Sequence, residues 1–446
     1  MPEKPKYFRD PIHGFIEVSP TELKIIENPL FQRLRRIKQL GPAYYVFHGA
    51  THTRFEHSIG VMNIARKILQ NIDFENEDEK QKIILAALLH DIGHFPLSHT
   101  FEKVIEKEFN LQGGHEKYTE AIITKSSITD ILKDELSFDK KDINGIVNYA
   151  LGKATDFLFG SQIIHSELDA DRMDYLLRDS LFCGVKYGIY DLERLLMSFM
   201  LHTDSQANKQ ILIVAKKGVY VAEEFVLARL YMYRQVYIHK TKRAFEIIVS
   251  EIMRNLLDDV IHYPIDLNNF DENELIDKDD YWLISKLRSI LKREYEVDEY
   301  IKRLIKMYIY RTPIKVADYV EETIDKSNPK FSPKYHIYKN LLKRQDFLEG
   351  LSKYNIPEDE IFIDEPRIDV KQYPYKFQPS YSEDEEQIPI WIYEKEDTEK
   401  PIDIATRKGS MIQDIASKLL GVVRVYTFSE HLNKVKNVLN SINHSI

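Results

Sequence analysis

The chain contains 446 residues, of which 43% are hydrophobic and 30% are charged, with 16 glycines and 17 prolines. These proportions are typical of globular proteins and exclude collagen-like and wholly disordered chains. With 62 Lys and Arg against 71 Asp and Glu, the net charge is −9. That balance argues against general nucleic-acid binding, which requires excess positive charge, so an anionic ligand would need a local basic pocket.

The sequence also bears on location. The longest apolar run, Ile83–Leu89, is far shorter than the roughly 20 residues that cross a bilayer. The charged start MPEKPKYFRD lacks the apolar core of a signal peptide, and the single Cys183 cannot form an internal disulfide. We therefore expect a cytoplasmic protein without a membrane span.

Apolar residues recur at helical spacing from Thr21 to about Leu256, which predicts a bundle of helices. The stretch Leu196–Phe225 interrupts this spacing, because the β-like sequences ILIVA and GVYVA flank residues 216–218. We expect a small inserted β-hairpin there, followed by a long helix from about Ala222.

Beyond about Asp258, the amphipathic sequence YWLISKLRSILKREY and the run Leu304–Tyr310 predict further helices. From Pro357 onward, IFIDE, PIWIYE and VVRVYTF are typical of strands, and MIQDIASKLL is typical of a helix. The predicted fold class is therefore mostly α, a helical bundle with a small inserted β-hairpin and a C-terminal α+β lobe. We divide it into an N-terminal segment, a core, a helical extension and the lobe, at residues 1–50, 51–256, 257–356 and 357–446.

Histidines and carboxylates cluster where the chain leaves a predicted buried helix. His90 and Asp91 follow directly on the apolar run, and His94 lies four residues beyond His90, on the same face if the helix continues. Buried ionisable groups need partners, and a divalent metal ion satisfies several at once. We interpret the His-Asp doublet as two ligands of a metal site.

Further ligands must come from elsewhere in the chain. One candidate is His57 in HTRFEHS, at the start of an amphipathic helix. The other is the acidic helix SELDADRMDYLLRDS, in which Asp171, Tyr175 and Asp179 recur every four residues and share one face. Two other histidines, His48 and His52, are assigned structural roles.

Together these motifs resemble a known family. The order RFEHS, HDIGHFPLSH, HE at residues 115–116 and DADRMDYLLRD is similar to that of the HD-domain metallophosphohydrolases. Within that family they resemble the deoxynucleoside triphosphate (dNTP) triphosphohydrolases, a branch that includes the human sterile-α-motif and HD-domain enzyme and bacterial relatives. The resemblance extends to DPIHGFIEVSP, FQRLRRIKQLG and YRQVYIHK, and covers roughly Arg9–Lys242. It implies that the helical bundle is an HD domain.

The resemblance implies roles for individual residues. The metal ligands would be His57, His90, Asp91 and Asp171, binding a divalent ion such as Mg, Mn, Fe, Zn, Ni or Co. The catalytic set would comprise His94, His99, Glu102, His115 and Glu116, with either His99 or His115 as the proton donor. The phosphate-binding cations would be Arg54, Arg172 and Arg229, with Lys242 as a further cation.

Other positions correspond to the nucleoside and effector sites. The deoxyribose would contact Gln39, Leu40, Tyr175 and Asp179, and Tyr237 would exclude a 2′-hydroxyl. Tyr233 lies near the position of the base, where Tyr233 and Ile238 depart from the human enzyme and leave base preference open. An allosteric nucleotide site would involve Lys6, Glu27, Gln32 and Arg35, or these residues form only surface ion pairs.

The implied reaction is metal-dependent hydrolysis of a dNTP at the α-phosphorus, which gives a deoxynucleoside and inorganic triphosphate. The implied partners are the dNTP, a GTP or dNTP activator, and further copies of the chain in a homodimer or homotetramer. Two alternatives stay open. One is an HD phosphohydrolase acting on a nucleoside monophosphate, an alarmone or a cyclic dinucleotide. The other is a non-catalytic protein that senses nucleotides or binds single strands.

Overall fold

The computed structural model describes residues 4–108, 113–154, 156–204, 209–257, 261, 263, 266–292, 296–328, 330–366, 390–393 and 400–443. The N-terminal part begins with a two-stranded antiparallel hairpin, β1 (Lys6–Asp10) and β2 (Gly14–Val18). Two short helices follow, α1 (Pro20–Glu27) and α2 (Pro29–Gln32), and then a 3₁₀ turn at Arg33–Arg36.

A bundle of helices forms the centre of the molecule, as the hydrophobic spacing predicts. Its helices are α3 (Arg54–Asn71), α4 (Glu77–Leu89), α5 (His99–Glu108), α6 (Gly114–Lys125), α7 (Ser127–Leu136), α8 (Lys140–Ala150), α9 (Leu158–Ile164), α10 (Ala170–Cys183) and α11 (Leu192–Leu196). Helix α3 contacts both α4 and α10, and most of its residues are buried. A helix surrounded in this way provides rigid support for a site.

The inserted hairpin is present, but the prediction of its strands was wrong in part. Its strands are β3 (Phe199–Asp204) and β4 (Lys209–Val214), which pair antiparallel. The sequence ILIVA lies largely in β4, whereas GVYVA begins α12 (Val219–Met232), and residues 216–218 form a 3₁₀ turn that leads into that helix. The buried apolar start of α12 has the composition of a strand, which explains the error.

A π-helical turn at Tyr233–Tyr237 continues α12, and the chain then enters the long helix α13 (Lys240–Leu256). The extension contributes α14 (Glu272–Ile276), α15 (Asp280–Leu291) and α16 (Glu299–Ile309). The C-terminal part contains β5 (Lys315–Asp325), α17 (Pro333–Lys339), α18 (Gln345–Lys353), β6 (Ile361–Asp364), β7 (Trp391–Ile392), β8 (Ile402–Asp403), α19 (Met411–Ala416), β9 (Lys418–Thr427) and α20 (Leu432–Asn443).

The C-terminal lobe is α+β, as predicted, but one of its strands comes from the segment expected to be helical. Strand β9 is the centre of a three-stranded antiparallel sheet between β5 and β6. The sequence of β5 does not indicate this role, because Ala317 and Val320 are its only buried residues and an edge strand with one covered face lacks an apolar run. Among the described residues, no helix is both long and apolar enough to span a membrane.

Candidate active site

Two histidines and two aspartates from separate parts of the chain lie together inside the bundle. Nε2 of His57 lies 3.0 Å from Oδ1 of Asp171 and 3.5 Å from Oδ2 of Asp91. Nε2 of His90 lies 3.4 Å from Oδ1 of Asp91 and 3.8 Å from Oδ1 of Asp171. The structure therefore brings together the four residues that the sequence nominates as metal ligands.

Helix ends position these side chains. The side chain of Glu56 accepts a hydrogen bond from the backbone N of Thr53 at 2.7 Å, which fixes the start of α3 just before His57. The side chain of Asp169 accepts one from the backbone N of Arg172 at 2.7 Å, which places Asp171 in the first turn of α10. Such caps satisfy the unpaired N–H groups of a helix start.

His90 and His94 do not share a helix face, because α4 ends at Leu89 and the helix does not continue through them. The chain turns instead, and Nε2 of His94 comes to lie 3.2 Å from Oδ1 of Asp91. Gly93 makes this turn possible, since a Cβ there would lie only 2.3 Å from the carbonyl oxygen of His115. The turn therefore packs directly against the start of α6.

The electrostatics of the four-residue cluster favour positive charge. Burial by itself lowers the pKa of His57, but Asp171 and Asp174 raise it to about 10. Burial also lowers the pKa of His90, and Asp91 and Asp171 outweigh that effect and raise it. The pKa of Asp171 is lowered despite burial, because the two imidazoles contact it. A bound cation would take the place of the protons held here.

The donor set fits a divalent metal ion. Ligand atoms of His57, His90 and Asp91 lie within 4.8 Å of one another. Nδ1 of His57 hydrogen-bonds Oδ2 of Asp174 at 2.8 Å, and Nδ1 of His90 hydrogen-bonds the carbonyl of Ala87 at 2.9 Å. Each Nδ1 therefore donates, and each Nε2, which has no hydrogen-bond partner within the described parts of the chain, can bind a metal.

A second cluster lies beside the first. The rings of His94 and His115 stack, and those of His94 and His99 meet edge to face with 4.9 Å between centroids. Glu102 accepts hydrogen bonds from Nδ1 of His99 at 2.8 Å and from Nδ1 of His115. Burial lowers the pKa of His115, but Glu102 outweighs it and raises that pKa. Glu116 follows His115 and is half-buried.

The nominated phosphate-binding cations are all paired with acidic side chains. Arg54 pairs with Asp91 and donates from Nε to Oγ of Ser98 at 2.9 Å. Arg172 pairs with Asp169, and Nη1 of Arg229 donates to Oε2 of Glu167 at 2.5 Å. Lys242 pairs with Glu246. Within the described part of the chain, Arg54 is the one cation of these four that forms an ion pair with a residue of the metal cluster, Asp91, which places it next to any phosphate bound there.

The nominated sugar-binding residues form a connected group. Tyr237 donates from its hydroxyl to Oδ2 of Asp179 at 2.7 Å, and its ring lies 6.0 Å from that of Tyr175. Nε2 of His52 donates to Oδ1 of Asp179 at 2.7 Å, which gives His52 the structural role expected of it. The backbone N of Gln39 donates to the carbonyl of His52 at 3.1 Å.

The remaining nucleoside positions differ in their surroundings. Leu40 is half-buried against the main core. The ring of Tyr233 lies 6.3 Å from that of Tyr237. Ile238 is buried in a small cluster with Leu420 and Val422 of β9, so its side chain packs on the C-terminal sheet.

The four nominated effector residues form two pairs, Lys6 with Glu27 and Gln32 with Arg35. Nζ of Lys6 lies 4.0 Å from Oε1 of Glu27, and both side chains are more than half exposed. Gln32 donates to the carbonyl of Ile26 at 2.6 Å and accepts from Nε of Arg35 at 2.8 Å. The guanidinium of Arg35 stacks on the ring of Phe55, 3.4 Å from its centroid.

Sequence reasoning missed Asp174, which binds Nδ1 of His57 on the side of its ring away from the other metal ligands, and two of its partners. Asp174 accepts hydrogen bonds from both Arg178 and His13 beneath the metal cluster. A signal was present, because Asp174 lies three residues after Asp171 and therefore on a neighbouring position of the same helix. His13 could not be found in this way, since it lies 161 residues away from Asp174 in sequence.

Comparison with known proteins identifies the family. The HD domain matches residues 54–179, and an HD associated region matches residues 190–371. A putative HD domain-containing protein of Acanthamoeba polyphaga mimivirus is 31% identical over 323 residues, which are 67% of this chain and 69% of the viral protein. The chain belongs to the HD-domain family. HD-domain proteins are metal-dependent phosphohydrolases, and the cluster described above can hold their metal ion.

Other HD-domain relatives are similar over shorter stretches. An uncharacterized protein of Bacillus subtilis is 36% identical over 255 residues, which span 56% of this chain and 55% of that protein. The deoxynucleoside triphosphate triphosphohydrolase SAMHD1 of Gallus gallus is 31% identical over 276 residues, which span 55% of this chain and 44% of the chicken protein. The alignments thus cover only about half of these relatives.

The fold is also similar to solved structures. A hypothetical protein from Aquifex aeolicus superposes with a TM-score of 0.73 at 29% identity, covering 98% of this chain and 100% of that one. A phosphohydrolase from Bacteroides thetaiotaomicron superposes with a TM-score of 0.70 at 23% identity, covering 95% and 100%. The similarity extends over the C-terminal lobe as well as the HD domain.

Proposed function

We propose that this HD-domain phosphohydrolase cleaves dNTPs at the α-phosphorus and releases a deoxynucleoside and inorganic triphosphate. One observation carries the proposal: Asp171, which contacts His57 in the four-residue cluster, lies on helix α10 together with Tyr175 and Asp179 of the sugar group. A metal-bound α-phosphate beside a fixed deoxyribose is the arrangement that such a reaction needs.

His57, His90, Asp91 and Asp171 would hold the metal. When bound, a divalent ion polarises a phosphoryl oxygen and lowers the pKa of a coordinated water. In the reaction, a water oxygen forms a bond to the α-phosphorus while the bond from phosphorus to O5′ breaks. The water loses a proton, and O5′ gains one to become the 5′-hydroxyl.

We assign the proton donation to His115 rather than His99. Glu102 holds Nδ1 of both rings, which leaves each Nε2 to carry a transferable proton. His115, however, stacks on His94 next to Asp91, whereas the side chain of His99 is 62% exposed. A proton donor works best when its position is fixed close to the reacting oxygen. Glu116 would support the same turn of α6.

The cations would bind the triphosphate. Arg54 contacts Asp91 and Ser98 and would reach the α-phosphate. Arg172 and Arg229, held by Asp169 and Glu167, would bind the outer phosphates through planar, bidentate contacts. Lys242, which pairs with Glu246 and donates to the carbonyl of Tyr237 at 3.2 Å, would be a further cation beside the triphosphate.

The sugar group would select the deoxynucleotide. Asp179 and Tyr175 would bind the 3′-hydroxyl, with Gln39 and Leu40 on the other side of the sugar. Tyr237 is fixed by its hydrogen bond to Asp179, so its ring would exclude a 2′-hydroxyl. Tyr233 would lie near the base.

Activation and assembly are further parts of the proposal. The two pairs Lys6–Glu27 and Gln32–Arg35 would bind GTP or a dNTP activator. The similarity to dNTP triphosphohydrolases supports a homodimer or homotetramer. It is the same similarity that favours dNTPs over another nucleotide substrate.

A panel of substrates tests the proposal. The purified chain is incubated with each dNTP, with and without GTP, in Mg²⁺, Mn²⁺ and Co²⁺, and triphosphate and deoxynucleoside are both quantified. Equal amounts of the two products are expected, and the Asp171→Ala variant and a His90→Ala/Asp91→Ala double variant should release neither. Turnover of a monophosphate, an alarmone or a cyclic dinucleotide without triphosphate release would favour the alternative enzyme. Oligonucleotide binding with no turnover of any nucleotide would favour a non-catalytic protein.

A further inference from the structure

A buried carboxylate lies directly behind the metal cluster. Asp174 is on α10, one turn after Asp171, and is completely buried. Its Oδ2 accepts a hydrogen bond from Nδ1 of His57 at 2.8 Å and another from Nε of Arg178 at 2.8 Å. Its Oδ1 accepts from Nη2 of Arg178 at 2.8 Å and from Nε2 of His13 at 2.7 Å. Asp174 thus has four donors in a site without water-exposed atoms.

This arrangement dictates how His57 faces the cluster. A carboxylate paired with arginine only accepts hydrogen bonds, so Nδ1 of His57 must carry a hydrogen in this contact. The unprotonated atom available to a metal is then Nε2, which is the atom that lies next to Asp171 and Asp91. Partners of this kind fix the ring and tautomer of a metal-binding histidine.

The N-terminal hairpin supplies the support beneath Asp174. Oδ1 of Asp10 accepts from the backbone N of Ile12 at 2.8 Å and of His13 at 2.9 Å, which shapes the turn between β1 and β2. Oδ2 of Asp10 accepts from Nη1 of Arg178 at 2.8 Å. The side chain of His13 is 1% exposed. Besides His57, the donors to Asp174 are His13 and Arg178. The turn between β1 and β2 contains His13 and binds Arg178 through Asp10.

Helix α3 packs closely against one side of this network. Gly60 of α3 faces it, and a Cβ at that residue would lie 2.0 Å from Oδ1 of Asp174 and 2.6 Å from Nη2 of Arg178. Helices α3 and α10 are therefore in close contact at Gly60, and Asp174 cannot move toward α3.

We propose that the turn at Asp10–Gly14 is part of the metal centre, and that His13, Arg178 and Asp174 are positioning residues for the metal ligand His57. The HD domain match begins at residue 54, so the turn extends the centre beyond the matched domain. The inference rests on the metal site of the proposed function, and does not depend on which nucleotide is the substrate.

Metal titration of the full chain tests the inference. Apoprotein prepared with a chelator is titrated with Mn²⁺, and Co²⁺-loaded protein is examined by visible absorption, for wild type and for His13→Ala, His13→Gln and Asp174→Asn. His13→Ala and Asp174→Asn should weaken Mn²⁺ binding by about 10-fold to 100-fold and alter the Co²⁺ spectrum. The amide of His13→Gln can occupy the place of Nε2 and donate to Asp174, so this variant should bind close to wild type.

A matched control separates positioning from loss of stability. Asp364 is a buried carboxylate that pairs with Arg243 and, among the described residues, forms no hydrogen bond or ion pair with the metal cluster. Asp364→Asn should lower the melting temperature without changing Mn²⁺ affinity. If Asp174→Asn does not fold, the two His13 variants decide the question. Wild-type affinity in folded His13→Ala, or equal weakening in both His13 variants, would overturn the inference, whereas wild-type protein that binds Mn²⁺ but turns over no dNTP would contradict only the proposed function.

Discussion

The imidazole of His94 stacks on that of His115, with 4.0 Å between the ring centroids and 10° between the ring planes. His94 belongs to the turn that follows α4, and His115 to the first turn of α6. At one end of this stack, His94 contacts Asp91 of the metal cluster. At the other end, Nδ1 of His115 donates a hydrogen bond to Glu102. This geometry gives His115 a fixed position beside the cluster.

Replacing His115 with Asn should lower kcat by about 10²-fold to 10⁴-fold, because a positioned proton donor is lost. Metal content should stay at the wild-type level, since His115 is not one of the four proposed ligands. Steady-state kinetics and elemental analysis of the same preparation check both points. His336→Asn, on α17 of the lobe, is the control and should leave kcat unchanged. A fully active His115→Asn enzyme would exclude the assigned role.

Truncating Tyr237 to Ala should reduce the preference for dATP over ATP by about tenfold or more, because space for a 2′-hydroxyl opens. Tyr237→Phe removes the hydrogen bond to Asp179 but keeps the ring, so it should retain most of the preference at lower kcat/KM. The ratio of kcat/KM for the two nucleotides is the measurement. An unchanged ratio in Tyr237→Ala would show that another residue excludes ribonucleotides.

Substituting Gly60 with Ala should destabilise the protein by roughly 1–3 kcal/mol, because the new methyl group overlaps Asp174 and Arg178. Gly145→Ala provides the matched control. That glycine is also helical, but a Cβ there would meet only Cδ of Lys82 at 3.7 Å, so the change should be neutral or stabilise by about 0.5–1 kcal/mol. Urea unfolding midpoints compare the two. Equal midpoints would contradict the close contact of α3 with α10.

Acid should destabilise the protein partly through Glu246. Burial raises the pKa of this carboxyl, but Lys242 and Arg243 outweigh burial and lower it to about 2. Because the pKa is lower in the folded than in the unfolded protein, the stabilisation is complete above the unfolded value near 4.5 and is lost as the pH falls toward 2. The complete loss, reached below pH 2, amounts to roughly 3 kcal/mol, and less than half of it has occurred at pH 3.5. Urea midpoints at pH 7 and pH 3.5 should differ less for Glu246→Gln than for wild type, and an equal difference would contradict this account.

Local patterns in the sequence predict the helical bundle and nominate candidate metal ligands, and the resemblance to the HD-domain family implies that four of them share one metal site. Helical spacing identifies the apolar faces of α3 and α4. His57 lies in the first turn of α3, and His90 and Asp91 directly follow the end of α4. Asp171 follows from its spacing to Tyr175 and Asp179 on one helix face.

What the sequence does not predict depends on long-range contacts. Helix α4 stops at Leu89 although nothing in the apolar run marks its end, and the close approach of Gly93 to α6 decides where the chain turns. Strand β5 becomes recognisable only when it pairs with β9, almost a hundred residues later. His13 is joined to Asp174 in the same way, by tertiary contact alone.

The position of bond cleavage tests the central claim most directly. A dNTP is turned over in water enriched in ¹⁸O, and both products are analysed by mass spectrometry. Attack at the α-phosphorus with departure of O5′ predicts one ¹⁸O atom in inorganic triphosphate and none in the deoxynucleoside. Release of phosphate or pyrophosphate as the first product, or ¹⁸O in the deoxynucleoside, would contradict the account.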